Sequence, residues 1–488
     1  MSDQGQDLST RATHGILWTG GSIALQLVVT WFFFKVLGVE AMGAFQAALM
    51  LVTLCQLLAD MGMGAALVHF RAADERHFSS AFWANLAVGI CLTALLVLAA
   101  EPIARFATDP EKFGRDELAR LLVLLAPMVL FASVSGLMRG LLQRALRFKA
   151  FSLAELVSSL GGALGAGLAL LAGFGLWSVV ASALARELAL LASLWWAARW
   201  RPQLSFTFSA LKRLLGFGLN TTGANAVNHL NSNLAYAFIL LGVGDLAALG
   251  GFTFAYRFTM VPLGRAALTI ARVGFPAMAS IQDDNQLLQR GYLKAVQMVA
   301  LLAWPALAGA AVFAADIARL THPDLLAALP AFRLLCLAGM VKAVGTVVGT
   351  LYMAKGKAHW SFRWTLVNLA VLFPGVYWGM QYGTTGVAAV LALAPLLFLP
   401  VSQYLVNRLV GMRFATYFGA LVRPFLVTLA VLAALLLAEQ GLAAATPLWS
   451  LVGGIAVGLA VYLLALRLLA WQLCLQLWGA LRGHRQRP

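Results

Sequence analysis

Fourteen apolar stretches, each at least 18 residues long, follow one another along this chain with only short polar breaks between them. They lie near 14–36, 42–65, 80–100, 118–138, 151–172, 176–198, 213–238, 246–264, 293–315, 329–353, 362–380, 384–407, 416–438 and 447–470. A helix of that length matches the hydrocarbon thickness of a bilayer, and it satisfies its own backbone where no water can. "GFG" at 173–175, "RWRPQ" at 199–203 and "YGTTG" at 382–386 punctuate the series. The eighth stretch is the least regular, interrupted by Arg257 and Pro262 and followed at once by Arg265. Only 11% of the residues are charged and the mean hydropathy is +0.84. That is too little polar surface for a water-soluble fold, where about 25% is usual. The expected fold class is all-α: a polytopic membrane protein of about 14 transmembrane helices.

The formal charge of +16 would suggest nucleic acid in a soluble protein. Here its distribution decides. Counted over alternate loops, 23 Lys and Arg fall on one side of the spans and five on the other. Cytoplasmic loops collect such residues, so both termini are placed in the cytoplasm and an even number of spans is required. The charge is a topology signal, membrane lipids are the expected surroundings, and no nucleic acid partner is implied. The polar start "MSDQGQDLSTRATHG" lacks the basic region and cleavage site of a signal peptide, so the first helix is expected to stay. The four cysteines show no metal-ligand spacing and read as packing residues, so neither metal nor cofactor is expected. No GxxxxGK[ST], HExxH or GxSxG sequence is present, which argues against an enzyme. Any driving energy then comes from an ion gradient, the membrane potential or downstream consumption of what is moved.

A weak internal echo recurs at an offset of roughly 204–209 residues. "LGVEAMGAF" (37–45) resembles "LGVGDLAALGGF" (241–252), and "FGLWSVVA" (174–181) stands opposite "YGTTGVAA" (382–389). Both matches fall at the same place within a six-helix unit, which predicts two halves of parallel topology related by an axis along the membrane normal. Chance likeness in an Ala/Gly/Leu-rich chain is the competing reading.

"GILWTGGSIALQLVVTWFFFKVLG", "LLADMGMGAALVH", "SSAFWANLAVG", "LMRGLLQRALRFKAFSLAEL" and "FPAMASIQDD" together resemble the polysaccharide flippase family. This is the Wzx-type, or lipopolysaccharide biosynthesis, branch of the multidrug/oligosaccharidyl-lipid/polysaccharide exporter superfamily. The resemblance runs in order from about residue 10 to about 415, and the last two spans match only in kind. It implies two six-helix lobes plus two C-terminal helices. On this chain these become a cytoplasmic N-terminus (1–13), an N-lobe (14–200), a cytoplasmic linker (201–212), a C-lobe (213–410), two trailing helices (416–470) and a basic tail (471–488). It implies a cargo as well: polyprenyl-diphosphate-linked oligosaccharide, carried from the cytoplasmic to the periplasmic leaflet of a bacterial inner membrane by alternating access. Polysaccharide polymerase machinery is a candidate further partner. Two rival functions remain open. A cation-coupled drug exporter of the same fold predicts acids inside both lobes, whereas the in-span charges here are mostly Arg and Lys. A membrane glycan polymerase or ligase predicts a large outward loop, whereas the longest one here, about 101–117, is short and acidic.

Within the spans a few residues stand out. "LLADMGMGAALVHF" (57–70) places Asp60 beside Gly62 and Gly64 at the end of a membrane-length run. Asp60 either faces a gap, as an ion or gating group, or tethers a helix end built to bend, with Arg71 and Arg76 close by in sequence. Arg257, Arg265 and Arg272 are spaced eight and seven apart. If helical throughout, they form a ladder within an arc of about 80° over roughly 22 Å. Guanidinium groups bind phosphate oxygens bidentately, so the ladder is a candidate diphosphate path; the alternative is that Arg265 and Arg272 only set topology. Lys342 lies near the middle of the tenth span and either lines a cavity or makes an ion pair. Arg186 and Glu187 point about 100° apart and seek separate partners. Thr221, Asn225, Asn228 and Ser232 form a polar face in the seventh span, suited to sugar hydroxyls or to interhelical bonding. His229 beside them is either a titrating group or a packed one. The cluster Arg139, Arg144, Arg147 and Lys149 reads as a contact for anionic lipid.

Overall fold

The computed structural model describes residues 25–469 apart from 71–72, 108–114, 146, 280 and 443, so the N-terminus, the start of the first span and the basic tail lie outside it. Every regular element among the described residues is helical. They form two compact units, with the described residues up to Thr253 in one and those from Phe254 onward in the other.

The first unit contains α1 (Leu25–Leu37), α2 (Val39–Asp60), α3 (Met63–His69), α4 (Glu75–Ala107), α5 (Arg115–Leu125), α6 (Pro127–Arg144), α7 (Phe148–Leu171), α8 (Trp177–Ala198) and α9 (Phe208–Phe238). It ends in the first turns of α10 (Leu246–Ala279). The second unit takes the rest of α10 and continues with α11 (Asn285–Val312), α12 (Ala314–Thr321), α13 (Leu329–Ala354), α14 (Ala358–Gly379), α15 (Gly383–Val410), α16 (Phe414–Gly441) and α17 (Pro447–Leu469). Helix occupies all fourteen predicted intervals as far as they are described. The second span breaks into α2 and α3 at the glycines where a bend is expected, and two details differ: the fourth span is interrupted before Pro127, and the eighth runs on as one helix through Pro262.

Among the described residues ten segments are long and apolar enough to cross a membrane. One of them, Arg363–Val410, has 48 residues. As a straight helix it would measure about 72 Å, more than twice the hydrocarbon core. It folds back instead: a 3₁₀ turn at Met380–Tyr382 leads into Gly383 at φ +68°, and α14 packs antiparallel on α15. Only a residue without Cβ takes that backbone conformation at little cost.

Two devices fix the helix ends. In the first unit Arg144, the last residue of α6, donates to the carbonyls of Leu67, Phe70 and Ala73 at 3.0–3.2 Å, and so holds the end of α3 and the loop that follows. In the second, Lys355 just beyond α13 donates to the carbonyl of Gln282 and to Asn285 Oδ1, gripping the loop that enters α11. The two cations stand about 210 residues apart, close to the spacing of the sequence echo. A cation at these positions satisfies carbonyls that the helix itself leaves open.

The echoed segments also meet. A Cβ on Gly43 would lie 1.8 Å from the carbonyl oxygen of Leu246, and one on Gly250 would lie 1.9 Å from that of Val39. The contact between α2 and α10 is thus reciprocal and made backbone to backbone. A Gly43→Ala variant is expected to lose about 1–3 kcal/mol through overpacking. Gly223 sits inside α9 with open space around it, so Gly223→Ala is expected to be neutral or to gain about 0.5–1 kcal/mol. Thermal unfolding of both purified variants in detergent checks the opposite signs.

Candidate functional site

The helix break answers the question raised by Asp60. Helix α2 ends at Asp60, and both following residues are left-handed, Met61 at φ 47° and Gly62 at φ 64°. A Cβ on Gly62 would come within 2.4 Å of the Gly218 carbonyl oxygen, so α9 rests directly on the break. The Asn85 amide from α4 bridges the Asp60 carbonyl and the Ser133 carbonyl at 3.2 Å each. The Asp60 side chain lies over Gly136 of α6, so closely that a Cβ there would be 1.8 Å from Oδ1. The cation whose charge acts on it is Arg139, on the next turn of α6. Neither Asp60 Oδ1 nor Arg139 Nε makes a hydrogen bond, and both atoms are buried, so the attraction is one of opposite charges acting through space.

This differs from the sequence expectation in one respect. Arg76 is exposed in the first turn of α4, with its N–H bonded to Asp74, and Arg71 lies outside the described residues. The partner comes from another helix, and sequence proximity gave no signal for it. The basic cluster at the end of α6 is likewise reassigned. Arg144 caps the end of α3, the exposed Arg147 donates to the Ala197 carbonyl at 2.7 Å and so caps α8, and Lys149 is left as an exposed cation with no hydrogen bond among the described residues.

Along α9, Asn225, Asn228 and Ser232 are exposed and have no hydrogen bond among the described residues. Thr221 turns back to the Phe217 carbonyl at 3.0 Å. His229 is half-buried, hydrogen-bonded to the backbone of Met50, with Asn233 Nδ2 3.3 Å from Nε2. It is a packed histidine. Asn231, which periodicity did not single out, has a buried Oδ1 with no partner.

In the second unit Arg257 is half-buried and engaged by its surroundings. Because α10 is continuous, Arg257, Arg265 and Arg272 do stand on one helix, although the side chains of the latter two lie outside the described residues. Helix α10 packs along α13 through Phe254 on Phe332, with ring centroids 6.1 Å apart, and through Leu263 near Gly339. On that neighbouring helix Lys342 is exposed, with no ion pair or hydrogen bond among the described residues. It lies about 18 Å from either end of α13, farther than its side chain can extend toward an aqueous interface. Arg186 is exposed on α8, while its neighbour Glu187 is buried on a different face of the helix. The second unit also holds an apolar cleft of about 450 Å³ between α11, α16 and α17, lined by residues such as Leu302, Phe313, Leu435 and Leu459.

A mid-helix lysine with no partner among the described residues and an amide-rich helix face suit a transporter, and comparison with known proteins decides the family. Residues 35–322, more than half of the chain, match the family described as "Polysaccharide biosynthesis protein". The chain belongs to this family. It is thereby a member of the superfamily of polysaccharide flippases and multidrug exporters. It is 28% identical over 383 residues to the teichuronic acid biosynthesis protein TuaB of Bacillus subtilis (strain 168), covering 77% of each chain. It is 26% identical over 426 residues to the lipopolysaccharide biosynthesis protein WzxC of Escherichia coli (strain K12), covering 84% of this chain and 83% of that one. With the succinoglycan biosynthesis transport protein ExoT of Rhizobium meliloti (strain 1021) it shares 25% identity over 477 residues, covering 97% and 95%. Among solved structures, the lipid II flippase MurJ in an inward closed conformation superposes with a TM-score of 0.79 at 16% identity, covering 95% of this chain and all of that one. An inward-facing multidrug transporter of the same superfamily gives 0.65 at 16% identity, covering 79% and 95%. These last two likenesses concern the fold. The polysaccharide biosynthesis protein is thus an all-α, multi-pass membrane protein, as expected of the bacterial inner membrane.

The Asp60–Arg139 pairing makes a prediction. Arg139→Gln leaves the Asp60 carboxylate without its cation and is expected to destabilise the protein by about 1–3 kcal/mol. The double variant Asp60→Asn/Arg139→Gln is expected to recover part of that loss. A double-mutant cycle of unfolding midpoints gives the coupling, and strictly additive effects would refute the pairing.

Proposed function

We propose that this polysaccharide biosynthesis protein flips polyprenyl-diphosphate-linked oligosaccharide from the cytoplasmic to the periplasmic leaflet by alternating access. In this reading an N-lobe (14–200) and a C-lobe (213–410) alternate about the 201–212 linker, residues 416–470 add two helices, and both termini are cytoplasmic. The equivalent cation clamps of Arg144 and Lys355 and the meeting of the echoed segments favour the two-lobe description.

The observation that carries the reading is Lys342, a cation in the middle of an apolar helix with no acid beside it among the described residues. A charge at that depth is stable only against water or a counter-charge that arrives with a ligand. A diphosphate supplies one. Arg257 on the adjoining helix is assigned to the same head group, Arg265 and Arg272 to the approach along α10, and Arg186 to a secondary contact. The amides of Asn225 and Asn228, with Thr221 and Ser232, are assigned to sugar hydroxyls, since each can both donate and accept. The prenyl chain stays in lipid or enters the apolar cleft. Asp60 and His229, both tied to neighbouring helices, are assigned to the bend rather than to cargo. The relatives are named for teichuronic acid, lipopolysaccharide and succinoglycan, three different polymers, which favours a site that reads the shared diphosphate more strictly than the sugars.

The experiment is sided accessibility of a polyprenyl-diphosphate glycan in proteoliposomes. Lys342→Gln and Arg257→Gln are each expected to slow translocation at least about tenfold, as loss of one charge-assisted bond implies. Lys342→Arg is expected to retain most of the rate. Wild-type rates in folded Lys342→Gln would remove the site assignment. No movement by the wild type, with the native glycan supplied, would remove the flippase reading itself and bring the drug-exporter reading forward.

A further inference from the structure

The connector between α8 and α9 is pinned along one side and bare along the other. Trp200 Nε1 donates to Glu75 at 2.7 Å, Trp83 Nε1 donates to the Gln203 carbonyl at 2.9 Å, and the N–H groups of Gln203 and Thr207 donate to Ser79 and Ser80 at 3.1 and 2.9 Å. Residues 199–207 are therefore a non-helical strap tied down on the first three turns of α4. With its backbone held this way, side chains alternate. Ser205 and Thr207 are half-buried against the protein, whereas Leu204, Phe206 and Phe208 are 94%, 56% and 67% exposed. Three large apolar side chains in a row, directed away from the protein, are not what a water-facing connector presents.

The same stretch is basic. Arg199, Arg201, Lys212 and Arg213 are all exposed, none has an acid within ion-pair distance among the described residues, and 199–213 contains no Asp or Glu. The strap joins two helices of a membrane protein at their ends, so a bilayer surface is beside it by construction. Aromatic and aliphatic side chains interleaved with Arg and Lys are the composition that seats a segment in the headgroup layer, with the apolar groups in the upper acyl region and the cations on phosphates.

We propose that residues 199–213 form a membrane-surface anchor that docks on anionic phospholipid headgroups, with Leu204, Phe206 and Phe208 inserted below them. The occupant is the lipid leaflet itself and not a soluble partner, because the cations need several phosphates over a broad area and the apolar row needs an acyl layer. This site is separate from the one assigned to cargo and does not depend on it.

The test uses the full-length protein with its four cysteines replaced by serine, reconstituted in vesicles. Phe206→Cys, and Ser205→Cys as the protein-facing control, carry an environment-sensitive fluorophore. Quenching is read with spin-labelled phosphatidylglycerol and spin-labelled phosphatidylcholine at equal mole fraction, and with aqueous iodide. The label at 206 is expected to be quenched by lipid, to be shielded from iodide, and to respond severalfold more strongly to the anionic lipid. Replacing Arg199, Arg201, Lys212 and Arg213 together by Gln is expected to bring the two lipids to parity while lipid quenching itself persists. The label at 205 is expected to respond weakly to both. Quenching at 206 by iodide and not by lipid would overturn the docking. Equal response to the two lipids in the otherwise unsubstituted protein would overturn the anionic specificity. Equal lipid quenching at 205 and 206 would overturn the alternation on which the surface is built.

Discussion

A charge placed in the hydrocarbon layer has to be matched, hydrated or bound by something that arrives later, because leaving it bare costs several kcal/mol. That constraint sorts the cations of this protein into groups with different work. Arg139 is matched by Asp60. Arg144, Arg147 and Lys355 are spent on carbonyls at helix ends, where the donors replace bonds that the helices cannot make for themselves. Lys342 belongs to neither group. In the proposed reading, a mid-helix cation with no partner among the described residues is a position held open for one.

The same economy governs the backbone. Where α2 meets α10, and where the break after Asp60 meets α9, the approach is close enough that a Cβ would collide with a carbonyl oxygen. Helices in lipid have no hydrophobic incentive to associate, so surface contact between backbones supplies much of the attraction. The price of such closeness is that these helices cannot slide freely past each other. The left-handed pair Met61–Gly62 relieves this at one point: it lets α3 take a direction different from α2 while Asn85, Gly136 and Arg139 keep Asp60 in register. A bend so over-determined is a stable elbow rather than a loose joint.

The spans and their punctuation were legible in the sequence because they depend on local quantities: run length, hydropathy and the positions of Gly and Pro. The hairpin at Gly383 and the break near Gly62 followed from the same local signals. Partner choice was not legible. Arg139 and Asp60 are on different helices, and nothing in either neighbourhood names the other. The positive-inside count treated Arg144 and Arg147 as topology signals, and a residue can be that and a helix cap at once, since both roles place a cation at the end of a helix. The wholly buried chain from Tyr292 Oη to Gln403 and on to Asn407, 2.8 Å at each step, was missed for a related reason. Isolated Tyr, Gln and Asn residues carry no periodicity, so only their convergence in three dimensions makes them a network.

The proposed cargo site also has to let go. A diphosphate held by several guanidinium groups would be bound at about 1.5–3 kcal/mol per charge-assisted bond, and two or three such bonds already make a slow step of release. An ammonium at Lys342 is gentler than another arginine, since it offers a point charge without a bidentate fork. An interior-negative potential then works in the direction of export, at about 2.3 kcal/mol per negative charge per 100 mV. For a head group with about two negative charges this is comparable to one or two of those bonds, so the membrane potential can offset the binding that captures cargo at the inner leaflet. In the proposed reading, one arginine and one lysine on neighbouring helices, with further arginines along α10, suit that balance: several charges capture the cargo, and few of them hold it at any one step.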